Sequence, residues 1–460
     1  MSADDTLNPK GWLRKSADRL VAFSHNPAAR GIASVFVLKV STIVLNFTLV
    51  MLAARVLDPD NFGVFSILFS AAGLFCIVAT FGQQVSVMRS WNEYVAADDP
   101  ARLKGALRFS LFTCLIGCGV MAAGFYAFAA STHTAFLAGA VTLFMVAQAA
   151  VLTSAHLVRT AIGVGVGDGY GNLLLIIPAL LYLAISLATH GSASVSMVFL
   201  LFSAGALTAV FIHFVLLWRK LHALYPDFAA VSPRYESRVW RARSFKLWIS
   251  NGLEAANQYL DVLIIGYLMS PSIAGAYFVT TRLANAFATA SDTMHMFSTR
   301  HIPDLYFRGE FRQLNSLLNS VAGITLAVVV AGMIVVLAGG QFFLSIFNEA
   351  YVPYYPALVV LCIGTAALAA AGPSGSILML TGHEGRYLKI IAMTVLIRAI
   401  GFFALIPQFG IIGAVTATTI SFMFLALMLR RASTSLAGLD GSVFRLAAIL
   451  RRPAFATPAE

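Results

Sequence analysis

Charged side chains are scarce in this sequence of 460 residues. Aspartate, glutamate, lysine and arginine together account for 11% of it, whereas soluble globular proteins carry about 25%. This composition excludes a soluble enzyme, and its high apolar content excludes a disordered chain. Hydrophobic residues make up 59% of the sequence, and they occur in runs of about twenty, the length that crosses a bilayer as a helix. Barrel strands alternate polar and apolar residues instead, so the sequence predicts a polytopic α-helical membrane protein.

Cysteine is sparse as well. The four cysteines lie inside apolar runs, and they form no CxxC pair and have no neighbouring histidine;. We therefore interpret them as small hydrophobic core residues and expect neither a metal site nor a cofactor. They are Cys76, Cys114, Cys118 and Cys362.

Twelve apolar windows are long enough to span a bilayer. Turn-forming segments separate several of them, such as Asp58-Pro59-Asp60 and Ser270-Pro271-Ser272;. A kink is expected in the tenth window, where Gly372, Pro373 and Gly375 interrupt the apolar run. The windows are 32–55, 62–82, 108–130, 135–157, 170–189, 194–218, 246–269, 274–296, 315–338, 356–380, 387–406 and 411–429.

The net charge of +11 comes from 31 basic and 20 acidic residues. With the N-terminus inside, 27 of the 31 basic residues fall in segments that face the cytoplasm. The positive-inside rule therefore predicts a cytoplasmic (inner) membrane protein with both termini in the cytoplasm. Because the positive charge serves topology and contact with membrane lipids, nucleic-acid binding is not expected.

The same windows divide the chain into five regions. The two flanking regions each contain an amphipathic stretch of the kind that lies at a membrane surface, at 10–24 and 442–452;. The predicted regions are an N-terminal cytoplasmic segment (1–31), an N-lobe (32–218), a basic linker (219–245), a C-lobe (246–430) and a cytoplasmic tail (431–460).

An internal repeat relates the two lobes. Transporters are often built from two such halves, and a constant offset in sequence is the sign of one. Because each half has six spans, both would have the same orientation in the membrane. The pairs at an offset of 211 or 212 are Leu57 and Leu268, Gly63 and Gly275, Phe65 and Tyr277, Arg89 and Arg300, and Leu103 and Leu314.

Polar side chains interrupt four of the spans. An ionisable residue at mid-span costs about 2.5–3.5 kcal/mol on insertion scales, so these residues are functional candidates. Their helical spacing places them on one face of each helix, and we expect those faces to line a partly hydrated cavity. They are Lys39, Thr42 and Asn46 in the first span; Asn251, Glu254, Asn257, Gln258 and Asp261 in the seventh; Arg282, Asn285, Thr289 and Asp292 in the eighth; and Arg398 in the eleventh.

Two interpretations of these charges remain open. Arg282 could pair with Asp261 or Glu254 on the neighbouring helix, and Lys39 could extend to the lipid headgroups. Alternatively, the cations form a site for phosphate or pyrophosphate. The cations of that site would be Lys39, Arg282 and Arg398. The acidic residues that either bind a coupling ion or form internal pairs are Glu254, Asp261 and Asp292.

Three stretches resemble a known family. Residues 54–65 (ARVLDPDNFGVF) resemble the first-hairpin signature of the polysaccharide-transporter branch of the multidrug/oligosaccharidyl-lipid/polysaccharide exporter superfamily. Asp261-Val262-Leu263-Ile264-Ile265-Gly266, followed by Gly275-Ala276-Tyr277 and Arg282-Leu283, resembles the hairpin of its second half. The segment 347–351 (FNEAY) before the tenth span fits the same pattern.

The resemblance implies two six-helix lobes around a V-shaped cavity and a flippase, not an enzyme. Its substrate would be an oligosaccharide on undecaprenyl pyrophosphate, moved outward by alternating access for O-antigen, capsule or exopolysaccharide synthesis with other assembly proteins. Relatives carry cationic cavity residues on the first and eighth helices, where Lys39 and Arg282 lie here, and together with Arg398 these residues would bind the pyrophosphate. Membrane potential, H⁺, Na⁺ or consumption of the product would supply the energy. The residues expected to line the path of the glycan are Thr42, Asn46, Asn251, Gln258 and Asn285.

Three alternatives follow from the same sequence. A cation-coupled multidrug exporter of that superfamily would need an acidic cavity, which the cations disfavour. A glycan polymerase or ligase would need a large outer loop, whereas the longest outer segment, 339–355, is short and contains one acid, Glu349. A non-transporting assembly scaffold is the third.

Overall fold

The computed structural model describes residues 27–446, with the side chains of that range apart from 27–36, 39 and 286–301. The amphipathic stretch at 10–24 and the end of the one at 442–452 lie outside these residues. The helices are α1 (Pro27–Val56), α2 (Pro59–Ala79), α3 (Gln83–Ala96), α4 (Pro100–Thr132), α5 (Ala135–Ala161), α6 (Val164–Ala188), α7 (Val195–Leu224), α8 (Ser237–Leu268), α9 (Pro271–Phe307), α10 (Phe311–Phe347), α11 (Tyr355–Ala370), α12 (Ser374–Leu380) and α13 (Glu384–Leu436), with a 3₁₀ turn at Glu349–Tyr354.

The prediction of twelve spans in two six-helix lobes is confirmed. Eight candidate spans among the described residues are long and apolar enough to cross a membrane. One of them, α13, contains two spans, because Gly410 adopts φ +57° and ψ −134° and reverses the chain direction. Helices α8 and α9 are also long enough to span but carry the predicted polar stripes, and α1, with its apolar stretch Val40–Val56, is the twelfth span. Helices α1–α7 form the N-lobe and α8–α13 the C-lobe.

The predicted kink in the tenth span is a complete break between α11 and α12. Gly372 has φ +61°, and a Cβ there would lie 2.0 Å from the carbonyl oxygen of Gly441. The chain after α13 therefore packs against the break, where the Val443 N–H donates a hydrogen bond to the Ala370 carbonyl (2.9 Å). This bond satisfies a carbonyl that the broken helix leaves free.

One helix was not predicted. The segment assigned to the loop between the second and third spans forms α3, which packs on α4, α5 and α8. Val87, Trp91 and Tyr94 recur at helical spacing and are buried. The Tyr94 hydroxyl accepts a hydrogen bond from the Trp240 indole (2.9 Å), so α3 joins the first turns of α8 to the N-lobe.

One pair of the predicted repeat, Gly63 and Gly275, lies at the interface between the lobes. Helix α2 packs against the α8–α9 hairpin, and Gly63 and Gly275 meet there: a Cβ on Gly275 would lie 3.2 Å from the Gly63 Cα. The flanking caps also correspond, since Asp58 and Ser270 each accept a hydrogen bond from a backbone N–H at the start of their helices, which both begin with proline;. The two hairpins therefore approach closely because glycines replace side chains.

The lobes also meet at the end of the molecule where α1 and α10 end. The Arg55 side chain donates to the Ile346 carbonyl (2.5 Å), and Asn348 donates to the Ala54 carbonyl (3.2 Å). Phe47 packs edge-on against Phe347, with 5.0 Å between ring centres. We call this end the opposite face, and the end where α1 begins at Pro27 and α13 finishes at Leu436 the terminal face.

Candidate functional site

A cavity of about 250 Å³ lies where α2 of the N-lobe meets four helices of the C-lobe. Ser70 contributes from α2, and the other walls come from α8, α9, α11 and α13. A second cavity of about 490 Å³ adjoins it and shares Asn257, Asn285, Thr365 and Leu368. Because the second cavity is lined by the helix break at Gly372 and by Tyr387 near the start of α13, it leads toward the terminal face.

Arg398 lies in the wall of the first cavity and forms an ion pair with Asp261. The two side chains are 2.8 Å apart, and 3% of the Arg398 side chain is exposed. Arg398 also donates to the carbonyl of Asn257 (3.3 Å) and to its side-chain oxygen. An ion pair so deeply buried is held in place by these additional hydrogen bonds, because they satisfy the remaining donors.

The carboxylate of Asp261 has a second partner. The Tyr277 hydroxyl donates to it (3.0 Å) and lies 2.9 Å from the Thr418 hydroxyl. This network connects α8 and α9 with both arms of α13, on either side of Gly410. Asp261 is therefore paired with Arg398 and not with Arg282, which was the partner considered from sequence.

Arg282 differs from Arg398 in its surroundings. It is half-buried and lines the first cavity with Gln258 and Asn285. Its guanidinium lies over the ring of Phe278, 4.7 Å from the ring centre, a favourable cation–π arrangement. No residue whose side chain the structure describes forms an ion pair with Arg282. Its donors therefore face the cavity without a carboxylate neighbour in the described part of the chain.

The polar stripe of α8 divides between two environments. Gln258 and Asp261 line the first cavity. Glu254 is exposed and lines neither cavity. Asn251 is half-buried, and its amide nitrogen has no hydrogen-bond partner among the described residues.

Two residues of the predicted α1 stripe, Thr42 and Asn46, lie apart from these cavities. The Thr42 hydroxyl donates to the Leu38 carbonyl and the Asn46 amide to the Thr42 carbonyl, both at 2.9 Å and both within α1. Neither residue lines the two cavities. The side chains of Lys39 on α1 and of Asp292 on α9 lie outside the described residues.

Several lining residues were not among the predicted site residues. Tyr259 packs on the glycine of α2 at position 73, where a Cβ would lie 2.8 Å from its ring. Phe422 lies 5.3 Å below the Arg398 guanidinium. Sequence alone gave no sign of these roles, because aromatic residues are common throughout the spans. The remaining unpredicted polar residues of the wall are Ser70, Tyr277, Thr281, Thr365 and Thr418.

Comparison with known proteins agrees with this architecture. No protein-family model matches the chain, and no curated protein matches it. Among solved structures, it is similar to an inward-facing multidrug resistance MATE family transporter of the MOP superfamily, with 12% identity and a TM-score of 0.68 over 90% of this chain and 96% of that one.

Two further structures show the same likeness. The lipid II flippase MurJ in an inward closed conformation has 10% identity and a TM-score of 0.66, over 92% of this chain and 93% of that one. A MOP superfamily transporter from Pyrococcus furiosus has 11% identity and a TM-score of 0.58, over 87% and 93%. The chain is thus a multi-pass membrane protein that shares the twelve-helix, two-lobe fold of the MOP superfamily transporters.

Proposed function

We propose that the chain is a flippase that moves an oligosaccharide linked to a polyprenyl pyrophosphate across the cytoplasmic membrane by alternating access. One observation carries this proposal: Arg282 lines the cavity between the lobes with no ion pair among the described residues. A guanidinium with free donors binds phosphate oxygens in a bidentate manner.

The charge of the cavity supports an anionic substrate. The charged residues among its described lining are Asp261, Arg282 and Arg398. Because Asp261 and Arg398 neutralise each other, the described lining carries one net positive charge, on Arg282. In this proposal Lys39 provides a second cation from α1, and Arg398 acts on the substrate only if its pair with Asp261 opens.

The shape of the molecule supports alternating access. The contacts of Arg55 and Asn348 close the opposite face, whereas the cavities lead toward the terminal face. With the terminal face in the cytoplasm, the lipid-linked substrate would enter from the inner leaflet. Its sugars would contact Gln258, Asn285 and Asn257, while the polyprenyl chain remains in lipid.

Transport in this proposal is driven by binding of H⁺ or Na⁺ at Glu254 or by the membrane potential. Asp261 is occupied by Arg398 and Tyr277, so Glu254 is the acid on α8 that remains exposed for H⁺ or Na⁺. Membrane potential is the alternative source, since moving one charge through 100 mV corresponds to about 2.3 kcal/mol.

A multidrug exporter is the second candidate, because a MATE transporter shares the fold. A cationic drug would require an unpaired carboxylate in the cavity. The acid in its described lining, Asp261, is paired, and Glu254 lies outside both cavities. Of the similar structures, the lipid II flippase is the one with a lipid-linked substrate, and such a substrate fits Arg282, which has no ion pair among the described residues.

Binding by the purified protein separates the two candidates. We expect it to bind undecaprenyl pyrophosphate more tightly than ethidium, and Arg282→Ala to weaken that binding about tenfold, the value of one charged hydrogen-bonding contact. Arg282→Lys should retain part of the affinity. Arg308→Ala is the matched control, since this exposed arginine lies at the end of the same helix. Unchanged binding in Arg282→Ala, or tighter binding of ethidium, would overturn the proposal.

A further inference from the structure

A groove of about 460 Å³ lies on the outside of the N-lobe, away from the cavity between the lobes. Its walls are the first half of α4 and the start of α8. Arg108, Tyr235 and Ser237 supply its polar end, and Leu111, Phe112 and Leu115 supply the rest. The α4 residues among them, Arg108, Leu111, Phe112 and Leu115, are all exposed.

Close packing of the linker against α4 forms this groove. A Cβ on Gly105 would lie 2.0 Å from the Arg234 carbonyl oxygen, and the Arg234 N–H donates to the Ala101 carbonyl (2.9 Å). Trp240 supports the same region from below, with its ring 5.4 Å from that of Phe109. The polar end of the groove is therefore a fixed part of the fold.

The groove has a polar end at the depth of the headgroups and an apolar part at the depth of the acyl chains, as a bound lipid would require. Positions 108, 111, 112 and 115 follow the i, i+3, i+4, i+7 spacing of one helix face, so Leu115 lies about 10 Å deeper along α4 than Arg108. Arg108 is on the terminal face at the start of the third span, where headgroups lie, and the apolar positions extend into the hydrocarbon region. Most of the apolar part of α4 faces away from the protein.

The polar end of the groove carries the positive charge of Arg108. Arg108 forms no ion pair with any side chain that the structure describes, and the described lining of the groove contains no acidic residue. A zwitterionic headgroup would bring its own cation close to this arginine, whereas an anionic one brings only negative charge. Basic pockets at the membrane surface favour anionic headgroups for this reason.

We infer that this groove is a binding site for an anionic phospholipid. The phosphate would contact Arg108 and the hydroxyls of Tyr235 and Ser237, and one acyl chain would lie along Leu111, Phe112 and Leu115. Because the groove is separate from the cavity that contains Arg282, this inference does not depend on the proposed flippase activity.

Native mass spectrometry of the purified full-length protein tests the site. With phosphatidylglycerol and phosphatidylcholine of the same acyl chains in equal amounts, we expect the protein to retain phosphatidylglycerol preferentially. Arg108→Gln should reduce that preference about fivefold, which corresponds to ~1 kcal/mol for one basic residue near an anionic surface. Arg219→Gln is the matched control, because Arg219 is also exposed near the terminal face but lies outside the groove.

Two results would overturn the inference. One is equal retention of both lipids by the unaltered protein. The other is an Arg108→Gln variant that folds, as judged by its melting temperature, and keeps the same preference as Arg219→Gln. Loss of preference in both variants would also contradict it, because the selectivity would then come from overall charge.

Discussion

The two arginines of the cavity, Arg282 and Arg398, cannot be distinguished by their sequence context, but the structure gives them different neighbours. Both lie in apolar spans, where the cost of a charge singles them out. Arg398 has its carboxylate partner 137 positions away on α8, a distance along the chain that no local pattern reveals. The sequence therefore indicates Arg282, Arg398 and Asp261 as candidate site residues but cannot assign which two form the pair.

The Asp261–Arg398 pair gives the first prediction. Asp261→Asn leaves the buried guanidinium without a counter-charge, which costs about 3–5 kcal/mol in comparable buried pairs. We expect a clear fall in melting temperature in detergent. The double variant Asp261→Asn with Arg398→Gln should be more stable than Asp261→Asn alone. If the double variant loses the sum of both single losses, the two residues are not coupled.

A second ion pair, outside the membrane spans, gives a pH prediction. Burial raises the pKa of Glu93, but hydrogen bonds from Arg89 and Arg243 lower it by more, so its pKa lies below the ordinary value. A carboxyl with a depressed pKa stabilises the fold above its unfolded pKa of about 4.3, and loses that contribution as pH falls through the folded value.

The consequence is measurable at α3, which Glu93 joins to α8 through Arg243 (3.0 Å). Between pH 6 and pH 3, hydrogen exchange of residues 83–96, corrected for its intrinsic pH dependence, should accelerate. In Glu93→Gln it should be fast already at pH 6 and change little. Equal pH dependence in both proteins would show that Glu93 does not control this contact.

At the scale of elements, composition was enough for most of the fold. The apolar windows predicted all twelve spans, because a bilayer demands about twenty apolar residues from each. The buried residues of α3, Val87, Trp91 and Tyr94, recur at helical spacing, but a helix of 14 residues with polar side chains between them does not form an apolar window of membrane-spanning length;. The join between the two arms of α13 was predicted as a boundary, yet the left-handed Gly410 that makes it was not.

The glycines at the lobe interface give a prediction at this scale. At Gly63, a Cβ would lie 1.9 Å from the Pro271 carbonyl oxygen, so Gly63→Ala forces α2 and α9 apart. Overpacking of this kind costs about 1–3 kcal/mol, and the melting temperature should fall. Gly119→Ala on α4 is the control, because nothing lies within 4 Å of a Cβ there. A fall of the same size in both variants would contradict the close-packing argument.

At the scale of the whole molecule, the closed opposite face has to open if the lobes alternate. Arg55→Cys with Ile346→Cys, in a chain whose four native cysteines are replaced by alanine or serine, allows a short reducible cross-linker to join α1 to α10. Cross-linking should abolish transport, and reduction should restore it. The double variant before cross-linking controls for the loss of Arg55. Full transport by the cross-linked protein would exclude opening at this face.

In the proposed function, this chain moves a lipid-linked oligosaccharide between leaflets. The direct measurement uses proteoliposomes that contain a fluorescent glycan on undecaprenyl pyrophosphate, in which a membrane-impermeant quencher reports the leaflet of the label. We expect the unaltered protein to expose inner-leaflet substrate to the quencher at a rate well above that of protein-free vesicles. We expect Arg282→Ala to be slow and Arg308→Ala to be normal. Exposure at the protein-free rate by well-folded, unaltered protein under an imposed membrane potential and H⁺ and Na⁺ gradients would contradict the proposed function.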